Sequence, residues 1–173
     1  TEYFTEDGLD LPRLLNDDYF NAIRILFNSG QYVSCMKLLV SCIDTISFIA
    51  YGDVRDVFIR WLDTHTTLSS LGITSEELWE MRNSILHMSS LDSRKVIQKK
   101  VRRIGFCVAP RGIYSSPDRD VTYFNLLDLI DIIASGISSW IEYINSNRDE
   151  FTSFVERYDR ILSDDRVTHV SNL

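Results

Sequence analysis

With only seven glycines and three prolines among 173 residues, the chain lacks the dense turn signals that an all-β sandwich or barrel requires. It also lacks long polar tracts, internal repeats and low-complexity linkers, so extensive disorder is excluded by composition. Hydrophobic residues make up 45% of the sequence, enough for one domain of this length to bury a substantial core. The apolar residues recur mostly at helical spacing, and the expected fold is mainly α.

Cysteine is scarce. Cys35, Cys42 and Cys107 form no CxxC pair and no Cys/His ligand pattern, so neither a disulfide framework nor a metal centre is expected; the three read as buried free thiols of a cytoplasmic protein. Glu2, Glu6, Asp7 and Asp10 make the N-terminal segment acidic, without the basic-then-apolar pattern of a secretory signal. The most apolar stretch, Val33 to Tyr51, contains Lys37 and Asp44, each costing roughly 2.5–3.5 kcal/mol at mid-membrane. A buried core helix is expected there and no membrane partner. P-loop and dinucleotide-binding glycine patterns are missing, His65 and His169 have no ligand-like neighbours, and no serine or cysteine nucleophile has a matched histidine. No cofactor or metal is expected.

Acidic residues are missing from one segment. The net charge is −7, yet Ser93 to Pro117 carries Arg94, Lys95, Lys99, Lys100, Arg102, Arg103 and Arg111 with no Asp or Glu, leaving −14 on the remainder. That basic stretch can contact phosphate, or equally pair with the acidic remainder.

What is present reads as successive helices. An extension over 1–15 precedes a single helical domain over 16–163, and 164–173 form a tail. A first helix starts after Asn16 or Asp17 and turns Phe20, Ile23, Leu26 and Phe27 inward until Gly30. A second, Gln31 to Tyr51, is apolar on more than one side and therefore central, with Ser34, Lys37, Ser41 and Asp44 as its polar stripe. Asp53 can cap a third helix carrying Val54, Val57, Phe58, Trp61 and Leu62. Thr74 to Glu77 matches the S/T-x-x-E capping box and opens a fourth helix to about Ser89, with Leu78, Met81, Ile85 and Met88 as core stripe, Trp79 and Leu86 flanking, and Glu76, Glu80, Asn83 and His87 on the opposite side. A short basic helix from Asp92 follows. Alternation of Ile104, Phe106 and Val108, then Val121, Tyr123 and Phe124 across a loop with Pro110, Gly112 and Pro117, predicts a β-hairpin over about 101–124. Asn125 caps a long helix, and Phe151 to Leu162 gives a last amphipathic one.

Within the fourth helix stands Arg82-Asn83-Ser84-Ile85-Leu86-His87. Asn83 and His87, four apart, share a face across about 6 Å of rise, and Arg82 lies about 100° round with a side chain long enough to reach it. Histidine suits proton transfer near neutral pH; arginine offers a planar fork of donors to phosphate; asparagine can orient either. Asp44 can hold the Arg82 guanidinium, or pair with Lys37 or Arg24, and Glu80 is a further supporting candidate. The plain alternative is that His87 is an exposed residue whose cation interacts well with a helix C-terminus.

Arg82, Asn83 and His87 resemble the signature of the HEPN superfamily of ribonucleases, over a stretch from about Asn16 to Ser89. The resemblance implies a HEPN-like helical bundle acting as a homodimer, with two copies of the motif meeting across the subunit interface to cut RNA without a metal ion. Arg82, Asn83 and His87 would be catalytic, with Arg94, Lys95, Lys99, Lys100, Arg102 and Arg103 as RNA contacts. Many members are similar to toxins or phage-defence effectors, which makes an antitoxin or regulatory protein a candidate partner. The expected products are a 2′,3′-cyclic phosphate and a 5′-hydroxyl. The alternative implied is a non-catalytic HEPN-like dimerisation or interaction module.

Overall fold

The computed structural model describes residues 3–5, 8–87, 93–109 and 120–161. After a short antiparallel pair, β1 (Phe4–Thr5) and β2 (Gly8–Leu9), the helical run begins at α1 (Leu11–Leu15), earlier than the expected Asn16 or Asp17. Asp10 is the cap, its side chain accepting from Arg13 N at 3.0 Å, and Pro12 sits in the first turn, where proline's missing N–H is harmless. The run continues without a break through a π-helical segment, Asn16–Phe20, into α2 (Asn21–Asn28). Leu11, Leu14 and Leu15 are buried, so part of the expected 1–15 extension belongs to the core.

The central element is α3 (Tyr32–Tyr51), stopped by Gly52 at φ +79°, a conformation that glycine adopts without a Cβ clash. It is long and apolar enough to cross a membrane, but half of its most apolar window is buried inside the fold. Its neighbours are α2, α4 (Val57–His65), α5 (Ser75–His87), α7 (Leu126–Ser146) and α8 (Phe151–Ile161). Cys35 and Cys42 are buried in it as free thiols and Cys107 is half-buried; burial pushes the Cys42 thiol far up, helped by the charge of Asp18. The start of α4 differs from the expected Asp53 cap: Asp56 takes a left-handed φ of +60°, which ends any helix extending back to Val54, and Val54 stays exposed.

Trp61 on α4 meets Trp140 on α7 edge-on, 6.5 Å between centroids. The helices approach closely there because α7 carries Gly136; a Cβ on it would lie 2.8 Å from Thr66 Cγ2 and 3.0 Å from the His65 carbonyl. His65 packs beside Trp61 and Tyr143, with the Tyr51 hydroxyl 3.4 Å from its Nε2. Burial holds its pKa below the ordinary 6.5. The unfolded chain therefore takes up a proton at His65 before the folded one does. The stability contributed by neutral His65 is present above about pH 6.5 and is lost as pH falls towards the folded value. Urea denaturation at pH 7.5 and 5.5 should show a larger acid loss in the native protein than in His65→Gln; equal losses would contradict this.

The capping box forms as expected, with Thr74 N donating to Glu77 Oε2 at 2.8 Å and Glu77 N to Thr74 Oγ1 at 3.2 Å. An ion pair completes it: Arg102 donates through Nε and Nη2 to both oxygens of buried Glu77, and through Nη2 to the Gly72 carbonyl at 3.0 Å. Arg102→Ala should lower unfolding free energy by about 1–2 kcal/mol, because the Glu77 carboxylate stays buried while half-exposed Arg102 contributes less than a buried partner would. Chemical denaturation measures it; an unchanged midpoint would show that water replaces the arginine.

The expected hairpin is corrected. Strands β3 (Ile104–Cys107) and β4 (Thr122–Asn125) pair in parallel, from Ile104 with Thr122 to Cys107 with Asn125. Alternation identifies strands and not their direction. The C-terminal ends of both strands lie together, where Asn125 caps α7 through Leu127 N at 3.0 Å and donates to the Ala109 carbonyl at 2.8 Å. Parallel pairing needs a connection of a dozen or more residues, and 108–121 supplies it. Short α6 (Arg94–Ile97) is capped by Ser93. The expectations for Met88, Ser89, Asp92, Pro110, Arg111, Gly112, Pro117, Leu162 and the 164–173 tail lie outside the described residues. The fold is mainly helical with a small parallel pair.

Candidate active site

The cap and its ion pair fix where α5 starts, and Arg82, Asn83 and His87 all lie on its last two turns. Arg82 is held on three sides. Its Nε and Nη2 donate to Asp44 Oδ2 on α3 at 2.7 and 2.6 Å, its Nη1 donates to Asn83 Oδ1 at 2.9 Å, and its Cζ lies 4.8 Å from the Trp79 ring centroid. Of the three partners proposed for Asp44 in the sequence, Arg82 is one the structure supplies; Arg24 instead reaches Asn16 and Asn21. A guanidinium has five N–H donors, so one on Nη1 and one on Nη2 remain for another ligand. Burial pushes the Asp44 carboxyl up, while the hydrogen bond and charge of Arg82, and more weakly the charge of His87, act against it.

His87 is exposed at the end of α5. It opens onto a cleft of ≈ 400 Å³ lined, among the described residues, by Glu80, Asn83, Ser84 and His87 of α5 and by Ser93, Arg94 and Lys95 at the start of α6. The α5 lining follows the i, i+3, i+4, i+7 pattern of one helix face. Arg82 is not in that lining; it buttresses Asn83 from the side. Its distance from His87's face is therefore bridged by Asn83, whose amide touches Arg82 and also borders the cleft.

Glu80 departs from expectation. Sequence spacing places it opposite the core stripe, yet it is 5% exposed, with Lys95 Nζ 3.3 Å from Glu80 Oε1 and 3.0 Å from Glu76 Oε1. Those two carboxylates hold the Lys95 ammonium above its ordinary pKa. Of the basic candidates, Arg94 and Lys95 reach the cleft; Lys99, Lys100 and Arg103 do not line it, and Arg102 is committed to Glu77.

Sequence reasoning missed Trp79 as the surface under Arg82, also packed against Phe58 at 5.2 Å with the rings tilted, and missed Ser84 and Ser93. The run of polar or small residues at 80, 83, 84 and 87 carried the signal for the last two turns of the cleft. Comparison with known proteins finds no family model, no curated protein and no solved structure that matches this chain.

Proposed function

We propose that the protein is a metal-independent endoribonuclease of HEPN-like design, working as a homodimer. The carrying observation is the pairing of an arginine fixed by Asp44 and Asn83 with an exposed histidine one helical turn from that asparagine, beside a cleft bearing Arg94. RNA self-cleavage chemistry needs a base for the 2′-hydroxyl, charge for the phosphate in the transition state, and an acid for the leaving 5′-oxygen. His87 takes or gives the proton. Arg82 stands beside the cleft and not in its lining, so its two remaining N–H groups, pre-oriented by Asp44, would meet a phosphate where a second copy brings the RNA backbone past Asn83, and Arg94 adds positive charge at the cleft edge. The 2′-oxygen attacks phosphorus as the P–O5′ bond breaks, leaving a 2′,3′-cyclic phosphate and a 5′-hydroxyl. Among the described residues one protomer brings a single histidine, His87, to the cleft, so a second copy would bring the complementary acid or base, with the motifs within about 10 Å as two-group catalysis demands. A role as toxin or phage-defence effector in the cytoplasm, with an antitoxin or other regulator, accords with this chemistry.

One observation favours a second reading, a non-catalytic helical interaction module. Asp44 offsets the charge of Arg82, and Trp79 covers it, as in a structural polar network. Incubation of purified protein with mixed RNA in EDTA, beside Arg82→Ala and His87→Ala, separates the two. Cleavage lost in both variants supports the enzyme; inert native protein, or variants that cut equally well, supports the module.

A further inference from the structure

We propose that Glu80 and Lys95 form a base-reading pocket for guanine; the proposal rests on the cleft being a nucleotide site, as the ribonuclease reading requires. Glu80 is nine-tenths buried, with one carboxylate oxygen, Oε1, on Lys95 Nζ. No hydrogen bond or ion pair from the described residues reaches Oε2, although Glu80 lines the cleft. Oε2 is not one of the enclosed, unpartnered side-chain atoms of the core, so it keeps contact with solvent in the cleft, and a ligand that donates there takes the place of water at a largely buried carboxylate.

Geometry selects the ligand. Lys95 Nζ, Glu80 Oε1 and Glu80 Oε2 present a donor followed by two acceptors. Guanine presents the complement on its Watson–Crick edge: the O6 acceptor followed by the N1–H and N2–H donors. Adenine, cytosine and uracil each lack two adjacent donors, so none can satisfy both carboxylate oxygens. Lys95 is half-exposed and shared with Glu76, which lets it turn towards O6. Glu80 and His87 are seven positions apart on α5, about 10 Å of rise, comparable to one extended nucleotide from base edge to 3′-phosphate. A guanine at Glu80 thus places its phosphate beside Asn83 and His87. The cleft volume of ≈ 400 Å³ falls within the roughly 300–1,000 Å³ typical of small-ligand sites.

The test is calorimetric titration of native protein with 3′-GMP, 3′-AMP, 3′-CMP, 3′-UMP and 3′-IMP, repeated with Glu80→Gln. The expected result is 3′-GMP binding about tenfold or more tighter than the other four, a preference erased in Glu80→Gln. Inosine monophosphate, which lacks only the N2 amine, probes the second carboxylate oxygen in the native protein and needs no variant to fold. Equal affinities for all five, no binding of 3′-GMP, or a preference that survives in Glu80→Gln overturns the proposal. A uridine oligomer with one 2′-deoxyguanosine distinguishes RNA from free nucleotide as the source: tighter binding than 3′-GMP assigns RNA, and weaker binding assigns the mononucleotide, both through the same pocket. RNA cleavage without base preference would sink the guanine pocket and leave the nuclease standing. Glu80-dependent 3′-GMP binding by a protein that cuts no RNA would do the reverse.

Discussion

His87→Ala is expected to lower RNA cleavage by about two to four orders of magnitude, the usual contribution of a positioned acid or base, with an unchanged melting temperature. The unchanged stability follows from exposure: His87 stands at the end of α5 with its side chain in solvent, so truncation leaves no cavity. Arg82 behaves differently. Arg82→Ala should lose roughly 10²–10³ in rate and also destabilise the fold, since it strands the Asp44 carboxylate on α3 with its side chain only 27% exposed and uncovers Trp79. Arg82→Lys separates charge from geometry. A lysine keeps the cation but cannot donate to Asp44 and Asn83 together while facing a phosphate, so it should retain little of the native rate. Single-turnover cleavage of a defined RNA in EDTA gives these numbers, and denaturant melts of the same preparations show whether rate and stability part company. A lysine variant as fast as native protein would contradict a role for the fork.

Trp61→Ala should be the largest stability loss among single side chains named here, about 3–5 kcal/mol, or a fall in melting temperature of roughly 6–20 °C for a chain of this size. Trp61 is fully buried and sits where α4 and α7 come closest, against Trp140 and above Gly136. Truncation would open a void between two helices that cannot close, because the His65 carbonyl and Thr66 already meet Gly136. Trp61→Phe should cost much less. The indole Nε1 is buried with no hydrogen-bond partner among the described residues, so exchanging indole for phenyl removes an unpaired donor along with some packing. Calorimetric melts of both variants measure the contrast, and similar losses would show that volume alone matters.

Elements with local signals were legible in the sequence. Thr74 and Glu77 announce the start of α5, Asn125 that of α7, and Gly52 the end of α3, because capping chemistry acts over three or four residues. The central position of α3 was legible from apolar residues on several of its sides. Features decided by distant segments were not. Alternation at Ile104 and Phe106 carries no strand direction, which shows only in the pairing of β3 with β4. A helical wheel puts Glu80 in solvent because it contains no knowledge of Lys95, fifteen residues on, which reaches its carboxylate. The start at Asp10 was legible and overlooked, since Pro12 in a first turn is itself a start signal. For the candidate site, the shared face of Asn83 and His87 follows from spacing, whereas the choice of Arg82 by Asp44, 38 residues away, depends on how α3 and α5 cross.

Arg157 on α8 donates from Nη1 to the carbonyls of Ile49 at 3.2 Å and Ala50 at 2.7 Å, the unsatisfied acceptors at the end of α3. Emerging from a ribosome, α3 must wait for more than a hundred further residues before this end is closed. Of its neighbours, α2 precedes it and α4 and α5 follow it closely, whereas α7 and α8 come from the last third of the chain. A nascent chain halted between α5 and α7 would accordingly present α3 with its C-terminal carbonyls open and the flank that α7 and α8 cover bare.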